Sequence, residues 1–252
     1  GGHSYYAFDV IDPDNPSVLW IKHGNYTDTT TKNVPSASSG FSHLGQTWSS
    51  LRPALIKWNG SDKVVLFAGG GYDPDEDGTD EAGPESRITH DTGNTIYLLD
   101  ASDGSVLWDA QSDLSPSSMT SSFPADVVPV DRNNNGYVDL LYAADVGGRI
   151  WRFDISESAT GRNDFATGAV IADINTSSSD GISGNRRFYN RPDVSYITDA
   201  DTPYILISIG SGYRAHPLST ETTDYQLLLK DPYGLNVPDS YGTTLTLSDL
   251  VA

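Results

Sequence analysis

Residues 124–148 read PADVVPVDRNNNGYVDLLYAADVGG, and this stretch decides the fold prediction. It begins at a proline, passes through a short apolar segment, a polar loop and a second apolar segment, and ends at two glycines. Short apolar runs that are bounded by turn residues are typical of β-strands. The stretch therefore predicts two antiparallel strands that are joined by an enlarged polar loop.

The same order of features occurs in two other places. PALIKWNGSDKVVLFAGGG covers residues 53–71, and PDVSYITDADTPYILISIGSG covers residues 192–212. The leading prolines stand roughly 70 residues apart, a period that is typical of repeated supersecondary units. Further strand-like segments recur between these hairpins: YAFD at 6–9, SVLW at 17–20 and 105–108, YLLD at 97–100, WRFD at 151–154 and the looser DYQLLLKD at 224–231.

Each repeat thus offers four short strands, which is the content of one blade of a β-propeller. The predicted fold class is all-β, with antiparallel four-stranded blades. The prediction divides the chain into a half blade at 5–22 and blades at 53–110, 124–173 and 192–252. Because propellers close with about four to eight blades, these roughly 3.5 blades are interpreted as part of one larger propeller domain. A complete β fold of another kind is the alternative.

Composition excludes several classes of function. The chain has 252 residues, of which 37% are hydrophobic, and a net charge of −19 from 34 acidic and 15 basic residues. Binding to nucleic acid is not expected, because it requires Lys and Arg to neutralise phosphates. Cysteine is absent, so thiolate chemistry and disulfides are excluded. No apolar run approaches the ~20 residues of a membrane-spanning helix, and the opening GGHSYYAFDV is expected to be mid-domain sequence.

The polar loop carries oxygen-bearing side chains at alternate positions, with the spacing of the first part of an EF-hand loop. Ca²⁺ takes about six to eight oxygen ligands, and a tightly coiled loop turns alternate side chains inward. A glycine at position 6 permits the sharp bend, and position 7 lends a backbone carbonyl. The predicted calcium ligands are Asp131, Asn133, Asn135, Tyr137 through its carbonyl, and Asp139, with Gly136 at the bend.

A plain hairpin with an Asn-Gly type I′ turn is the alternative for this loop. Position 12 is Tyr142 where an EF-hand has a bidentate glutamate, and the flanking segments are strands instead of helices. The equivalent connections in the other repeats are short, NGSD at 59–62 and TDAD at 198–201. Only the middle repeat lengthens the connection, and the added residues are potential ligands. This comparison favours calcium.

Two other features require an interpretation. Residues 73–85, DPDEDGTDEAGPE, are predicted to be a solvated acidic insertion. The alternative is a second ion site, because Asp73, Asp75, Asp77 and Glu81 follow a similar spacing. The five histidines are scattered and do not predict zinc. The recurring tryptophans are predicted to pack between blades, and they are Trp20, Trp108 and Trp151.

The chain resembles the C-terminal propeller of the PilY family of type IV pilus biogenesis factors and tip adhesins. The matching segments span nearly the whole chain, and the most specific of them is the loop followed by GGRIWRFD, residues 147–154. The resemblance implies calcium at the five loop positions, and a role in pilus extension against retraction, twitching motility and surface adhesion. It also implies minor pilins as partners, an unknown host or abiotic surface ligand, and a location at the pilus tip or outer membrane of a Gram-negative bacterium.

An enzymatic function is the alternative to this non-enzymatic one. LLDASDGSVLW at 98–108 resembles the tryptophan-docking repeat of quinoprotein dehydrogenases, which are propellers that use pyrroloquinoline quinone and calcium. Those enzymes repeat the motif in most blades, whereas the pattern is clean here only once or twice. A generic carbohydrate-binding propeller is a further alternative.

Overall fold

The computed structural model describes residues 2–25, 36–77, 89–175, 183–198, 203–231 and 233–250. These residues form mainly short β-strands, with two helices of one turn or little more. The elements are β1 (Ser4–Asp9), β2 (Ser17–His23), β3 (Arg52–Trp58), β4 (Ser61–Gly69), β5 (Ile96–Asp100), β6 (Val106–Asp109), α1 (Ala110–Leu114), β7 (Val128–Val130), β8 (Leu140–Ala144), β9 (Arg149–Ile155), β10 (Ala166–Asp173), β11 (Asp193–Ile197), β12 (Tyr204–Gly210), β13 (Gln226–Asp231), β14 (Leu245–Thr246) and α2 (Leu247–Leu250).

Two antiparallel meanders form the centre of the described chain. Strands β3 to β6 pair in sequence order, and so do β7 to β10. Strands β1 and β2 form a two-stranded sheet, and β11 to β13 form a three-stranded sheet. The predicted all-β class with antiparallel sheets is confirmed, and every strand that the repeat predicts in residues 53–173 is present. Closure into a propeller, and the division of the chain into blades, stay predictions.

The end of the chain joins a different sheet from the one that its sequence position suggests. Strand β14 pairs in parallel with β10, where Ala172 lies opposite Leu245, and it adds a fifth strand to the β7–β10 sheet. Thr244 supports this position by donating its hydroxyl to the Val170 carbonyl at 3.1 Å. Residues 233–244 are rich in Gly, Pro and polar residues and lack an alternating apolar pattern. They therefore cross over to the neighbouring sheet instead of completing the β11–β13 sheet.

The recurring tryptophans pack in the interior, as predicted. Trp108 and Trp151 are fully buried in one apolar cluster that joins the β3–β6 sheet to the β7–β10 sheet. Both contact Phe153, with ring centroids 6.1 Å and 6.0 Å away. Trp20 is also buried and donates its indole N–H to the Ala101 carbonyl at 3.3 Å. Large aromatic side chains of this kind contribute much of the apolar burial that holds neighbouring sheets together.

The acidic segment that follows β4 is solvated only in part where the structure describes it. Pro74 and Asp75 are exposed, but Asp73 and Glu76 are 5% and 4% exposed, so the prediction of a solvated insertion is wrong for these two acidic residues. Residues 74–77 form a 3-10 turn that directs Glu76 inward, where it accepts hydrogen bonds from the backbone N–H and the hydroxyl of Ser122. Residues 78–85 lie outside the described residues, and with them Glu81 of the suggested second ion site.

The buried Glu76 predicts a loss of stability at alkaline pH. Burial raises the pKa of this carboxyl from 4.5 to about 8, although the hydrogen bonds from Ser122 lower it. Its contribution is complete below pH 4.5 and is lost as pH rises through about 8, because the unfolded chain then binds fewer protons than the folded one. Each unit of raised pKa corresponds to about 1.4 kcal/mol. In urea unfolding, we expect Glu76→Gln to abolish most of the fall in stability between pH about 5 and about 8. An equal fall in both proteins would contradict this assignment.

Candidate metal centre

The connection between β7 and β8 is a coiled loop that Asp131 closes. Val130 lies opposite Leu140, so residues 131–139 form the whole connection. One carboxylate oxygen of Asp131 accepts from the Asn135 N–H at 3.1 Å, and the other accepts from the Gly136 N–H at 2.7 Å. Gly136 has a φ of +92°, a left-handed conformation that glycine adopts without the steric cost of a side chain. The predicted role of this glycine at the bend is confirmed.

The loop is not the Asn-Gly type I′ turn that was the alternative. A type I′ turn requires positive φ at both central residues, and the structure shows this at Asn59 and Gly60, with φ of 51° and 73°. That pair is the two-residue connection between β3 and β4, where Trp58 lies opposite Ser61. In the longer loop the left-handed residues are Asn134 and Gly136, separated by Asn135. The two hairpins thus differ in conformation as well as in length.

The amides of Asn133 and Asn135 support the inward winding of the loop. Asn133 Oδ1 accepts from the Asn135 N–H at 3.0 Å, and Asn135 Oδ1 accepts from the Tyr137 N–H at 2.9 Å. Such side-chain turns hold successive polar residues on one side of the backbone. Asn133 also donates its amide N–H to Asp139 Oδ2 at 3.2 Å. The structure therefore brings positions 3, 5 and 9 of the predicted ligand set together.

Asp139 has a partner that the motif did not indicate. Its carboxylate is almost fully buried and accepts from the backbone N–H of Arg132 at 3.0 Å and from the Arg132 Nε at 3.1 Å. The same guanidinium donates from Nη1 to Asp154 Oδ1 at 2.7 Å. Arg132 thus stands between a predicted calcium ligand and a buried aspartate of β9. Its positive charge stabilises Asp139 in the absence of a cation.

The side chain of Tyr137 points away from the loop, toward the neighbouring sheet. Its ring lies 4.3 Å from Lys57 Nζ, and its hydroxyl donates to Asp62 Oδ1 at 3.0 Å. The next residue, Val138, donates its N–H to the Leu55 carbonyl of β3 at 2.9 Å. These contacts agree with a backbone role for Tyr137 at the ion, and they fasten the loop to the β3–β6 sheet.

Sequence reasoning missed Glu157, which approaches the same side chains from the segment after β9. Its Oε1 accepts from Asn135 Nδ2 at 2.8 Å and from Asn133 Nδ2 at 3.2 Å. The loop motif contains no signal for this residue. The pairing of β8 with β9 does contain such a signal. It places the segment after WRFD beside the loop that precedes LLYAAD.

The donor set suits a hard cation. Carboxylate, amide and backbone carbonyl oxygens are the ligands that Ca²⁺ prefers, and the loop offers them without histidine or thiolate. Among the described residues, no group of three or more His, Cys, Asp or Glu side chains stands at metal-ligating distances. The residues that would hold the ion are the five predicted from the spacing: Asp131, Asn133, Asn135, Tyr137 through its carbonyl, and Asp139.

A buried ionic network extends from the loop to the C-terminal part of the chain. Arg152 of β9 donates from Nη2 to Asp154 Oδ1 and from Nη1 to Asp231 Oδ2, both at 2.8 Å. Burial lowers the pKa of Arg152, but the hydrogen bonds to Asp154 and the charge of Asp231 raise it further than burial lowers it. Tyr142, at position 12 of the loop motif, donates its hydroxyl to Asp231 at 2.6 Å. A calcium-binding glutamate at this position would be directed into the protein interior.

The comparisons with known proteins agree with this architecture. No protein-family model matches the chain. The type IV pilus biogenesis factor PilY1 of Pseudomonas aeruginosa (strain UCBPP-PA14) is 27% identical over 157 residues, which are 62% of this chain and 10% of the relative. The crystal structure of the Pseudomonas aeruginosa PilY1 C-terminal domain superposes with a TM-score of 0.55 at 16% identity, over 94% of this chain and 46% of that one.

Both comparisons confirm the resemblance to the PilY C-terminal domain that the sequence indicates. The chain spans about a tenth of the length of the curated relative and less than half of the solved domain. Within the described ranges, none of the helices has the length and apolar character needed to cross a bilayer.

Proposed function

We propose that this chain is a calcium-binding, non-enzymatic part of a type IV pilus-associated protein at the bacterial surface. The observation that carries the proposal is the inward winding of the 131–139 loop, which gathers Asn133, Asn135 and Asp139 beside a carboxylate-capped turn. The similarity to a pilus biogenesis factor supports the pilus assignment. Minor pilins at the pilus tip are the proposed partners, and support of pilus extension, twitching motility and adhesion is the proposed role.

Calcium would act on the junction between neighbouring sheets. The loop is hydrogen-bonded to β3 through Val138, and the Asp139 carbonyl accepts from the Ile155 N–H of β9 at 2.9 Å. A divalent cation would offset the mutual repulsion of Asp131 and Asp139 and order the 131–139 loop that these two attachments hold at its end. The expected affinity is that of extracellular modules, about 10⁻⁴–10⁻³ M, or somewhat tighter. Occupancy would then change the surface that this junction presents to pilus partners.

The similarity also supports the proposal that the chain is one part of a larger propeller. It covers less than half of the solved domain that it resembles. In that arrangement the two-stranded β1–β2 sheet would be the outer half of a blade. One face of this hairpin carries exposed apolar side chains in cross-strand pairs, Tyr6 opposite Ile21 and Phe8 opposite Val18. Strands that the chain does not contain would cover this face.

Calorimetric titration with Ca²⁺ tests the metal site through Asp131→Asn. Asparagine keeps the size and an oxygen acceptor for one of the two loop N–H groups, but it removes the charge. We expect the wild-type chain to bind at a single site and the variant to bind about tenfold more weakly or worse, because calcium affinity depends on the number of charged ligands.

Asp103→Asn is the matched control for this titration. Asp103 is likewise a loop aspartate, exposed where Asp131 is half-buried, and it accepts from the Ser105 N–H at 2.8 Å. It lies in the connection between β5 and β6, outside the proposed site, so its replacement should leave calcium affinity unchanged. Absence of binding by the wild-type chain, or equal binding by Asp131→Asn, would sink the proposal.

A further inference from the structure

Two asparagines of the chain are followed directly by glycine, Asn59 and Asn135. In an Asn-Gly pair the backbone nitrogen of the glycine can attack the side-chain amide carbon of the asparagine. Glycine favours this attack because no side chain hinders its nitrogen and its backbone adopts conformations that are closed to other residues. In a folded protein the reaction also depends on how firmly the attacking N–H, the amide oxygen and the amide nitrogen are held. The structure holds these three groups differently in the two pairs.

Asn59 lies at the tip of the β3–β4 hairpin, where none of the three groups is held. Trp58 lies opposite Ser61, so Asn59 and Gly60 form the whole connection, and both are exposed. Within the part of the chain that the structure describes, the Asn59 side chain and the Gly60 N–H have no hydrogen-bond partner. The space beside the turn is open, since nothing lies within 4 Å of the position that a Cβ on Gly60 would take.

The conformation of this turn opposes the reaction only weakly. Asn59 has a φ of 51°, and its backbone has to leave this left-handed conformation before the Gly60 nitrogen can reach the side-chain carbon. The left-handed region has a steric cost for any residue with a side chain, so part of the cost of opening the turn is recovered. Local opening of this kind is easiest at exposed loop tips.

Asn135 is held at every group that the reaction needs. The Gly136 N–H donates to Asp131 Oδ2 at 2.7 Å, so the attacking nitrogen cannot turn without losing a charge-assisted hydrogen bond. Asn135 Oδ1 accepts from the Tyr137 N–H at 2.9 Å, and Asn135 Nδ2 donates to Glu157 Oε1 at 2.8 Å. The side chain cannot rotate toward the nitrogen without losing these two bonds as well.

We propose that Asn59 is a site of spontaneous deamidation in the folded protein, and that the coiled 131–139 loop protects Asn135. The Gly60 nitrogen forms a bond to the side-chain carbon of Asn59, and the side-chain amide leaves as ammonia with the proton that the nitrogen loses. Water then opens the resulting cyclic imide at either carbonyl, which yields aspartate or isoaspartate. Water is the only other reactant, and nothing is oxidised or reduced.

The modification would affect the contacts that hold the 131–139 loop against the neighbouring sheet. Lys57 and Asp62 lie on either side of the turn, and both contact Tyr137 of the loop. Either product adds a negative charge close to Asp62. Isoaspartate also lengthens the backbone by a carbon atom, so it does not fit the tight connection between β3 and β4.

Peptide mapping by mass spectrometry tests the proposal, with the whole chain kept at neutral pH in EDTA, once folded and once in urea. Trypsin releases residue 59 in the peptide 58–63 and residue 135 in the peptide 133–149, because Lys or Arg precedes and ends each of them. In urea the two asparagines should convert at similar rates, since neither loop exists. In the folded chain Asn59 should convert, more slowly than in urea, while Asn135 stays unchanged over the same period. EDTA makes the result independent of calcium.

Asp131→Ala tests whether the loop is the source of the protection. The variant removes the acceptor of the Gly136 N–H, so conversion of Asn135 should rise severalfold while conversion of Asn59 stays as in the wild type. Asp103→Ala, in the connection between β5 and β6, is the control and should change neither rate.

The comparison of folded and unfolded wild-type chain decides the proposal even if Asp131→Ala does not fold. An intact Asn59 in the folded chain, after the sample in urea has converted, would overturn the proposal. Conversion of Asn135 as fast as Asn59 in the folded chain would overturn it too. An unchanged rate at Asn135 in a folded Asp131→Ala protein would refute the protective role of the loop.

Discussion

Replacing Arg152 with methionine is expected to lower the free energy of unfolding by about 3–5 kcal/mol. The guanidinium is fully buried and makes ion pairs with Asp154 and Asp231, whose side chains are 2% and 4% exposed. Methionine fills much of the volume but leaves Asp231 in the interior without its cation and leaves Asp154 with Arg132 alone. The loss of one partner from a buried ion pair costs far more than the pair contributes in net terms. Urea unfolding of the two proteins at neutral pH measures the difference.

The control for this variant is Arg162→Met. Arg162 makes an ion pair with Asp113 at 2.8 Å, but its side chain is 42% exposed. Exposed pairs contribute about 0–1 kcal/mol, so this variant should unfold nearly as the wild type does. If both variants lost the same free energy of unfolding, burial would not be the reason why the Arg152 ion pairs matter for stability. Hydrogen exchange in β13 should also rise in Arg152→Met, since Asp231 is the last residue of that strand.

The strands and the loop could be predicted because their signals are local. Apolar runs between prolines and glycines predict β3, β4 and β8 directly, and the alternation of Asp131, Asn133 and Asn135 lies within five consecutive residues. The rest depends on contacts between distant positions. Glu157 meets the loop only because β8 and β9 pair in one register.

Contacts between residues that are distant in the sequence also explain where the structure differs from the sequence-based predictions. Asp231 meets Arg152 across 79 positions, and nothing near either residue indicates the other. The acidic composition of residues 73–77 predicts solvent exposure, but Ser122 supplies the hydrogen bonds that allow Glu76 to be buried. Strand β14 joins the β7–β10 sheet because residues 241 and 244 find partners on β10. These contacts form only when the sheets are arranged in three dimensions, so the local sequence does not predict them.

The loop and the ionic network share one residue, and this gives the metal site a route to the C-terminal part of the chain. Arg132 contacts Asp139 on one side and Asp154 on the other. Asp154 in turn accepts from Arg152 and from the Tyr241 hydroxyl, the latter at 2.9 Å. A cation at Asp139 would compete with Arg132 for that carboxylate and favour its contact with Asp154.

Asp139→Ala is therefore expected to have two separate effects. Without calcium, the variant should be about 2–4 kcal/mol less stable than the wild type, because Arg132 loses one buried partner and three N–H donors lose their acceptor. With calcium, the wild type should gain about 2.7 kcal/mol at a concentration of 100 times the dissociation constant, and the variant should gain almost none. Asp131→Asn separates the two effects, since it should lose about half or more of the gain from calcium but keep most of the calcium-free stability. Unfolding in EDTA and in saturating Ca²⁺ measures both quantities.

An Asp139→Ala protein that is as stable as the wild type in EDTA would refute the role of the Arg132 contact. An undiminished gain in stability from calcium would refute Asp139 as a ligand.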